Sequence, residues 1–118
     1  MSPQTKAPAP AVTIGNPAAD GAAFSGSASG SVSPSGSGVA ATFWTNGNGG
    51  GTRIDGTVNV SGTGWTASFN MTGAGATNNG YLSAVNTGSG GEAHRQNLVC
   101  GAGPAPVPGP SPVPPPAT

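Results

Sequence analysis

The clearest pattern of hydrophobic and polar positions lies between residues 57 and 71, where two runs of strict alternation follow each other. Alternation with a period of two predicts half-buried strands, because successive side chains of a strand point to opposite faces. The second run places its large apolar residues on one face: Trp65, Ala67, Phe69 and Met71. Gly62 and Gly64 predict a turn between the two strands. We therefore expect Trp65 and Phe69 to be anchors of a core.

The same alternation recurs along the chain, and no segment has helical periodicity. It predicts about seven short antiparallel strands, at residues 12–14, 24–30, 39–45, 53–60, 65–71, 81–85 and 93–100. In the last of them, we expect His94, Gln96, Leu98 and Cys100 to share one face. Asn46-Gly47 supplies the turn chemistry of a hairpin between two of these strands. Strands at this spacing, separated by Gly, Asn and Ser, predict an all-β sandwich or barrel.

Both ends of the chain are rich in proline, which divides the sequence into three parts. We predict an extended N-terminal arm over residues 1–10, a β domain over residues 11–102 and a polyproline-II tail over residues 103–118. The tail is either a stiff spacer or a segment that docks on a partner. Its candidate anchoring residues are Pro104, Pro106, Pro108, Pro110, Pro112, Pro114, Pro115 and Pro116.

Composition narrows the function classes. The chain has 118 residues, only three Lys or Arg, three Asp or Glu, and a formal net charge of zero. Such a chain lacks the basic surface that nucleic acid or an anionic membrane attracts, and no apolar run approaches the ~20 residues that span a bilayer. We therefore expect no nucleic-acid partner and no membrane insertion. With 22 Gly and 13 Pro, a largely disordered linker is an alternative, which circular dichroism without a β signal would support.

Candidate catalytic chemistry is sparse. Cys100 is the single cysteine, so no disulfide can form within the chain. Cys100 and His94 would lie about 20 Å apart on one extended strand, too far for a nucleophile and its base. Glu92, His94 and Arg95 are better interpreted as an exposed strand edge or an interface patch. We expect no enzyme activity, no cofactor and no metal site.

Ligand binding is a more credible use of the side chains. Flat aromatic faces and neutral Asn, Ser and Thr groups suit a carbohydrate. The candidate surface for a ligand or partner consists of Trp44, Asn46, Asn48, Arg53 and Tyr81. Trp65 is more credible as the core tryptophan.

Four motifs, taken in order, resemble bacterial and phage immunoglobulin-like domains. These are Val12-Thr13-Ile14 with its following turns, Phe24-Ser25-Gly26-Ser27-Ala28-Ser29-Gly30, Gly62-Thr63-Gly64-Trp65-Thr66-Ala67-Ser68-Phe69, and Gly80-Tyr81-Leu82-Ser83-Ala84-Val85. The resemblance covers residues 11–100 and implies a single two-sheet sandwich without a catalytic centre. Two features depart from the family: Asn86-Thr87 stands where an Asp is common, which weakens a calcium interpretation, and the Gly-rich hairpin at 46–51 is unusual.

These observations predict a non-enzymatic structural or display module. The first hypothesis is a decoration protein of a phage head or tail, located on the virion surface and anchored by its extended termini to a capsid or tail protein, or to further copies of itself. The alternative is a carbohydrate-binding or adhesion module of a bacterial surface or secreted protein, with a host cell-surface glycan as its ligand. The chain's first residues lack the apolar core of a signal peptide, which favours the first hypothesis.

Overall fold

Residues 11–100 are described by a computed structural model, and the predicted N-terminal arm and Pro-rich tail lie outside these residues. The described part is all-β and contains no helix, as the alternation predicted. No helix in this range is therefore available to cross a membrane. Its nine strands are β1 (Ala11–Val12), β2 (Ala23–Phe24), β3 (Ser27–Ser33), β4 (Val39–Trp44), β5 (Arg53–Asp55), β6 (Thr57–Ser61), β7 (Gly64–Ser68), β8 (Thr77–Asn86) and β9 (Glu92–Cys100).

The strands form two sheets that pack against each other in a sandwich. The four-stranded sheet has the order β1-β3-β7-β6, and the five-stranded sheet has the order β2-β9-β8-β4-β5. All pairings are antiparallel except that of β2 with β9, which is parallel. The parallel pair differs from the antiparallel arrangement predicted for every strand.

Nine strands replace the seven predicted because two predicted strands each pass from one sheet to the other. Residues 24–30 divide at Gly26, whose φ of 103° is open to glycine but strained for other residues. Residues 53–60 divide at Gly56, where the Phe69 ring packs so closely that an added Cβ would lie 2.7 Å from it. In both places the chain passes from one sheet to the other at a glycine.

Apolar side chains from both sheets fill the space between them. The Phe24 ring stacks on Phe43 with 4.7 Å between centroids, and it meets Phe69 edge-on at 5.3 Å. Trp65 is 1% exposed, which confirms its prediction as a core residue. The buried apolar cluster consists of Val12, Ile14, Phe24, Ala28, Val32, Ala41, Phe43, Trp65, Ala67, Phe69, Leu82, Ala84, Leu98 and Cys100.

The predicted alternation of β9 is wrong on its N-terminal side. Leu98 and Cys100 are buried, but His94 lies on the opposite, exposed face, where it stacks on Tyr81. The reason is a bulge in β9. Leu82 of β8 pairs with Arg95, and Gly80 pairs with Leu98. Two positions along β8 therefore correspond to three positions along β9. An extra residue in one strand reverses the faces beyond it.

The bulge also turns Arg95 toward the other sheet. Its guanidinium donates from Nη2 to the Ile14 carbonyl at 2.8 Å and from Nε to the Pro17 carbonyl at 3.0 Å. The sequence predicts Arg95 as part of an exposed edge or interface patch. Instead, it is only partly exposed and ties β9 to the segment that follows β1.

Candidate functional site

The outward face of the five-stranded sheet gathers most of the ionisable side chains of a surface that is otherwise Gly, Ser, Thr and Asn. We call this set the outer-face patch, and it consists of Trp44, Arg53, Asp55, Tyr81, Glu92 and His94. Among residues 11–100, only Asp20 and Arg95 carry formal charge outside it. Exposed charged residues clustered beside aromatic rings in this way mark a candidate binding surface.

One half of the patch is formed by side chains of β4 and β5. Trp44 pairs with Arg53 across these strands, and the Arg53 guanidinium carbon lies 5.6 Å from the centroid of the indole ring. Arg53 Nε also donates to Asp55 Oδ1 at 3.0 Å, with both side chains more than half exposed. Exposed contacts of these kinds contribute only about 0.5–1 kcal/mol each. The Arg53 side chain can therefore leave the indole face when a ligand competes for it.

The other half consists of Tyr81, Glu92 and His94, which contact one another. Tyr81 pairs with Trp44 across β8 and β4, and its ring stacks on His94 at 5.3 Å between centroids. Its phenol donates to Glu92 Oε1 at 3.2 Å, and His94 Nδ1 lies 3.8 Å from the same oxygen. Burial, followed by the charge of Glu92 and this hydrogen bond, raises the pKa of Tyr81 above its usual value. The phenol is thus a neutral donor that orients the Glu92 carboxylate.

The Gly-rich hairpin beyond β4 is fastened to the start of β8. Asn79 Nδ2 donates to Asn46 Oδ1 at 2.8 Å, and the Gly47 amide donates to the Asn79 carbonyl at 2.7 Å. Gly47 adopts a φ of 79°, the left-handed conformation that Asn-Gly turns require. Both Asn46 and Asn48 are exposed, but the side-chain oxygen of Asn46 is already engaged by Asn79, while Asn48 lies at the tip of the hairpin.

The structure brings together three of the five residues predicted for the ligand or partner surface. Trp44, Arg53 and Tyr81 occupy neighbouring positions on β4, β5 and β8. Asn46 borders them, two positions beyond Trp44, and Asn48 lies farther along the hairpin. Tyr81 differs from the expectation of an open aromatic face, because only 8% of the residue is exposed.

Asp55 is the patch residue that the sequence reasoning missed. It lies two positions after Arg53, and residues two apart on a strand share a face. That spacing could have placed its carboxylate beside the predicted surface. Glu92 and His94 were already interpreted as an edge or interface patch, and the structure places them beside Tyr81.

No group of three His, Cys, Asp or Glu side chains within residues 11–100 lies close enough to hold a metal ion. Cys100 is 1% exposed, and burial raises the pKa of its thiol to about 11. Since the thiolate is the nucleophilic form, this pKa disfavours covalent chemistry at neutral pH.

Comparisons with protein-family models, with curated proteins and with solved structures give no match for this chain.

We predict that Cys100 does not react in the native protein. At pH 8, a pKa of about 11 leaves about one thiol in a thousand ionised, against about a quarter for an unperturbed thiol. A chromogenic disulfide reagent should detect no thiol in native protein and one per chain in urea. Rapid reaction of native protein at the rate of the unfolded chain would contradict the prediction.

The same thiol should make stability depend on pH. The pKa of the Cys100 thiol is higher in the folded protein than the ordinary value of about 8.5. The stabilisation that results is therefore complete below pH 8.5, and the free energy of unfolding declines as pH rises from 8.5 toward the folded pKa. A Cys100→Ala variant lacks this titration. Urea unfolding between pH 7 and pH 10 gives the free energy of unfolding of both proteins as a function of pH. The unmodified protein should lose more stability toward pH 10 than the variant, and parallel curves for the two proteins would contradict the prediction.

Proposed function

We propose that this chain is a non-enzymatic display module of the immunoglobulin-like type, most simply a decoration protein on a phage head or tail. The strand orders support the family. The sheet β1-β3-β7-β6 corresponds to the A-B-E-D sheet of such sandwiches, and β9-β8-β4-β5 corresponds to G-F-C-C′. Two features depart from antibody domains: the buried Trp65 lies on β7, and Cys100 has no cysteine partner.

The observation that carries the proposal is the position of the two ends of the described domain. Ala11 lies beside the last residue of β8, because Asn86 Nδ2 donates to the Ala11 carbonyl at 3.3 Å. Cys100 instead pairs with Thr77, the first residue of β8. At ~3.3 Å per residue, the length of β8 separates these ends by about 30 Å. The chain therefore enters the sandwich at one pole and leaves it at the other.

This arrangement suits a module that holds one pole against an assembly and presents the other. The pole at Cys100 also carries the 46–51 hairpin, since Thr77 Oγ1 donates to the Thr45 carbonyl at 2.7 Å. The pole at Ala11 carries the turns at 34–38 and 87–91, since Thr87 donates from its amide to the Gly38 carbonyl at 3.0 Å. Anchoring through the Pro-rich tail would present these two turns outward, and anchoring through the N-terminal arm would present the hairpin.

Cosedimentation with particles from the phage or bacterium that encodes the chain tests the proposal. The full chain should sediment with virions, and deletion of the anchoring segment, either residues 1–10 or residues 103–118, should abolish binding. Both deletions lie outside the described domain, so circular dichroism should show an unchanged β signal. The proposal would be contradicted if the full chain stayed in solution. It would also be contradicted if each of the two deletion variants still sedimented with the virions.

A second candidate function is carbohydrate binding or adhesion, which the outer-face patch favours. The Trp44 indole provides an apolar face, and Asp55 and Glu92 provide carboxylate acceptors on either side of it. Carbohydrates present apolar C–H faces together with hydroxyl donors, which match this combination.

A glycan array probed with the full chain, Trp44→Ala and Asp55→Asn tests this second function. Binding should be lost in the tryptophan variant and weakened in the asparagine variant, while Asn59→Ala, on the exposed face of the other sheet, should bind normally. A blank array, or full binding by Trp44→Ala, would count against it.

A further inference from the structure

The two sheets have four edge strands among residues 11–100, and these edges differ in length and charge. β1 and β2 have two residues each, and β5 has three, of which Arg53 and Asp55 are charged. Short edges and charged edges resist pairing with another chain. β6 has five residues, Thr57–Ser61, without a charged residue, proline or glycine, and its register with β7 is unbroken. It is therefore the edge best suited to accept a further strand.

The sequence of β6 is symmetric about its central residue, Asn59. Hydroxyl residues stand at its two ends, and valines stand at the second and fourth positions. In an antiparallel pair of two copies centred on Asn59, Thr57 faces Ser61 of the other copy. Val58 faces Val60, and Asn59 faces its own counterpart. Hydroxyls across strands can hydrogen-bond, β-branched side chains pack well on a pleated surface, and no like charges meet. The order of residues in β6 thus fits a second copy of the same strand.

Burial along β6 is incomplete in a way that a second copy would correct. Val58 and Val60 pack against the buried apolar cluster but are themselves only half-buried. Within the four-stranded sheet, β7 lies on one side of them, and no other described strand lies on the opposite side. Alternate residues of β6 also direct their N–H and C=O groups away from β7. A strand from a second copy would cover both valines and supply partners for these backbone groups.

We infer that two copies of this chain associate through β6, antiparallel and with Asn59 at the two-fold axis, so that their four-stranded sheets join into one continuous sheet. An interface that uses the same surface on both copies closes after two subunits. Because one strand from each copy buries less area than a standard interface, the dimer is weak and forms at high protein concentration. The inference goes beyond the proposed function, since the association requires neither a virion nor a glycan.

Sedimentation velocity of the full chain at concentrations from about 10 μM to about 1 mM tests the inference. Monomers should convert to dimers, and to nothing larger, across this range. Asn59→Asp should raise the Kd of the dimer by about tenfold or more, because two carboxylates would then face each other at the axis. The matched variant Ser27→Asp adds the same charge to the same outward face, but on β3, two strands away from β6. It should dimerise like the unmodified chain.

A charge exchange at the axis tests the register directly. Asn59→Lys and Asn59→Asp should each stay monomeric alone, whereas an equimolar mixture should dimerise, because a lysine then faces an aspartate. Asn59 is exposed, so circular dichroism should show the same β signal for every variant. An unmodified chain that is monomeric at about 1 mM would overturn the inference. A dimer that Asn59→Asp leaves unchanged would also overturn it, because the association would then use another surface, and so would a mixture that stays monomeric.

Discussion

Replacing Asn86 by alanine should lower the free energy of unfolding by about 2–4 kcal/mol, because three part-buried hydrogen bonds of one buried side chain would be lost at once. Asn86 has no accessible surface. Its Nδ2 donates to the Ser33 carbonyl at 3.0 Å and to the Ala11 carbonyl at 3.3 Å. Its Oδ1 accepts from the Gly88 amide at 3.0 Å. One amide therefore joins the end of β8 to both β1 and β3 of the opposite sheet.

Urea denaturation followed by tryptophan fluorescence measures this loss. The matched control is Asn78→Ala, because Asn78 lies on the same strand but is exposed. Its substitution should change the free energy of unfolding by less than about 0.5 kcal/mol. Equal effects at the two positions would show that the buried amide is not a connection between the sheets.

Asn86→Asp separates hydrogen bonding from packing. The aspartate has nearly the same shape but would direct a buried carboxylate at two carbonyl oxygens. Burial, together with carbonyl oxygens facing one carboxylate oxygen, raises the folded pKa of a carboxyl above its unfolded value of about 3.9. The stability of this variant should therefore be greatest below pH 4 and fall as pH rises toward 7. A variant as stable as the unmodified protein at pH 7 would contradict this account.

The sequence could not have predicted the role of Asn86. The carbonyls that it contacts belong to residues 53 and 75 positions earlier in the chain, and backbone carbonyls are present at every position. A pattern of side chains indicates which face is buried, but it does not indicate which polar residue satisfies distant backbone groups. From the sequence alone, Asn86 could be noted only as a departure from an aspartate.

Period-two alternation was sufficient for the parts of the fold that hydrophobic burial determines. It placed Phe43 and Trp65 in strands, and both are buried strand residues. Phe69 is also buried, but the strand predicted over residues 65–71 ends at Ser68, so Phe69 lies just beyond β7. The alternation failed on β9, where a bulge adds one residue before Leu98. Asn97, inside that bulge, has a φ of 57°, a left-handed conformation that asparagine tolerates. A single residue in this conformation leaves no periodic signal.

The candidate site was predictable to a similar extent. The sequence predicts Trp44 and Arg53 as members of a ligand or partner surface, and the structure places both on the outward face. Their contact with each other, and that of Tyr81 with Glu92 and His94, depends on strand order and register. Strand order and register are not encoded by a local sequence pattern. The sequence could therefore indicate the separate residues of the patch, but not their contacts.

The core of this domain is thin, which makes each large side chain important. Three Phe and two Trp are the largest apolar residues of the whole chain, and several core positions are alanine. Glycines let the large rings approach the backbone. At Gly80, an added Cβ would lie 2.6 Å from the Phe43 ring. A methyl group at such a position forces side chains or backbone to move, which commonly costs about 1–3 kcal/mol.

Trp65→Ala should therefore be the most destabilising of the substitutions considered, with a loss of about 3–5 kcal/mol. Removal of the indole empties the centre of the four-stranded sheet. It also removes the hydrogen bond from Nε1 to the Thr13 carbonyl at 2.9 Å. That bond helps to hold the segment after β1. Because small domains have a total stability of about 5–15 kcal/mol, this loss should leave a substantial unfolded fraction at 37 °C.

Trp44→Ala is the matched control, since the chain contains two tryptophans and Trp44 lies on the outward face. Thermal unfolding by circular dichroism should show a large fall in Tm for the Trp65 variant and a fall of only a few degrees for the Trp44 variant. In Trp44→Ala, the remaining tryptophan is buried, so its emission should shift to longer wavelength only on unfolding. Similar Tm values for the two variants would contradict the division between a core tryptophan and a surface tryptophan. If they differ as expected, loss of ligand binding in Trp44→Ala can be attributed to the outer-face patch, because the fold that supports the patch is intact.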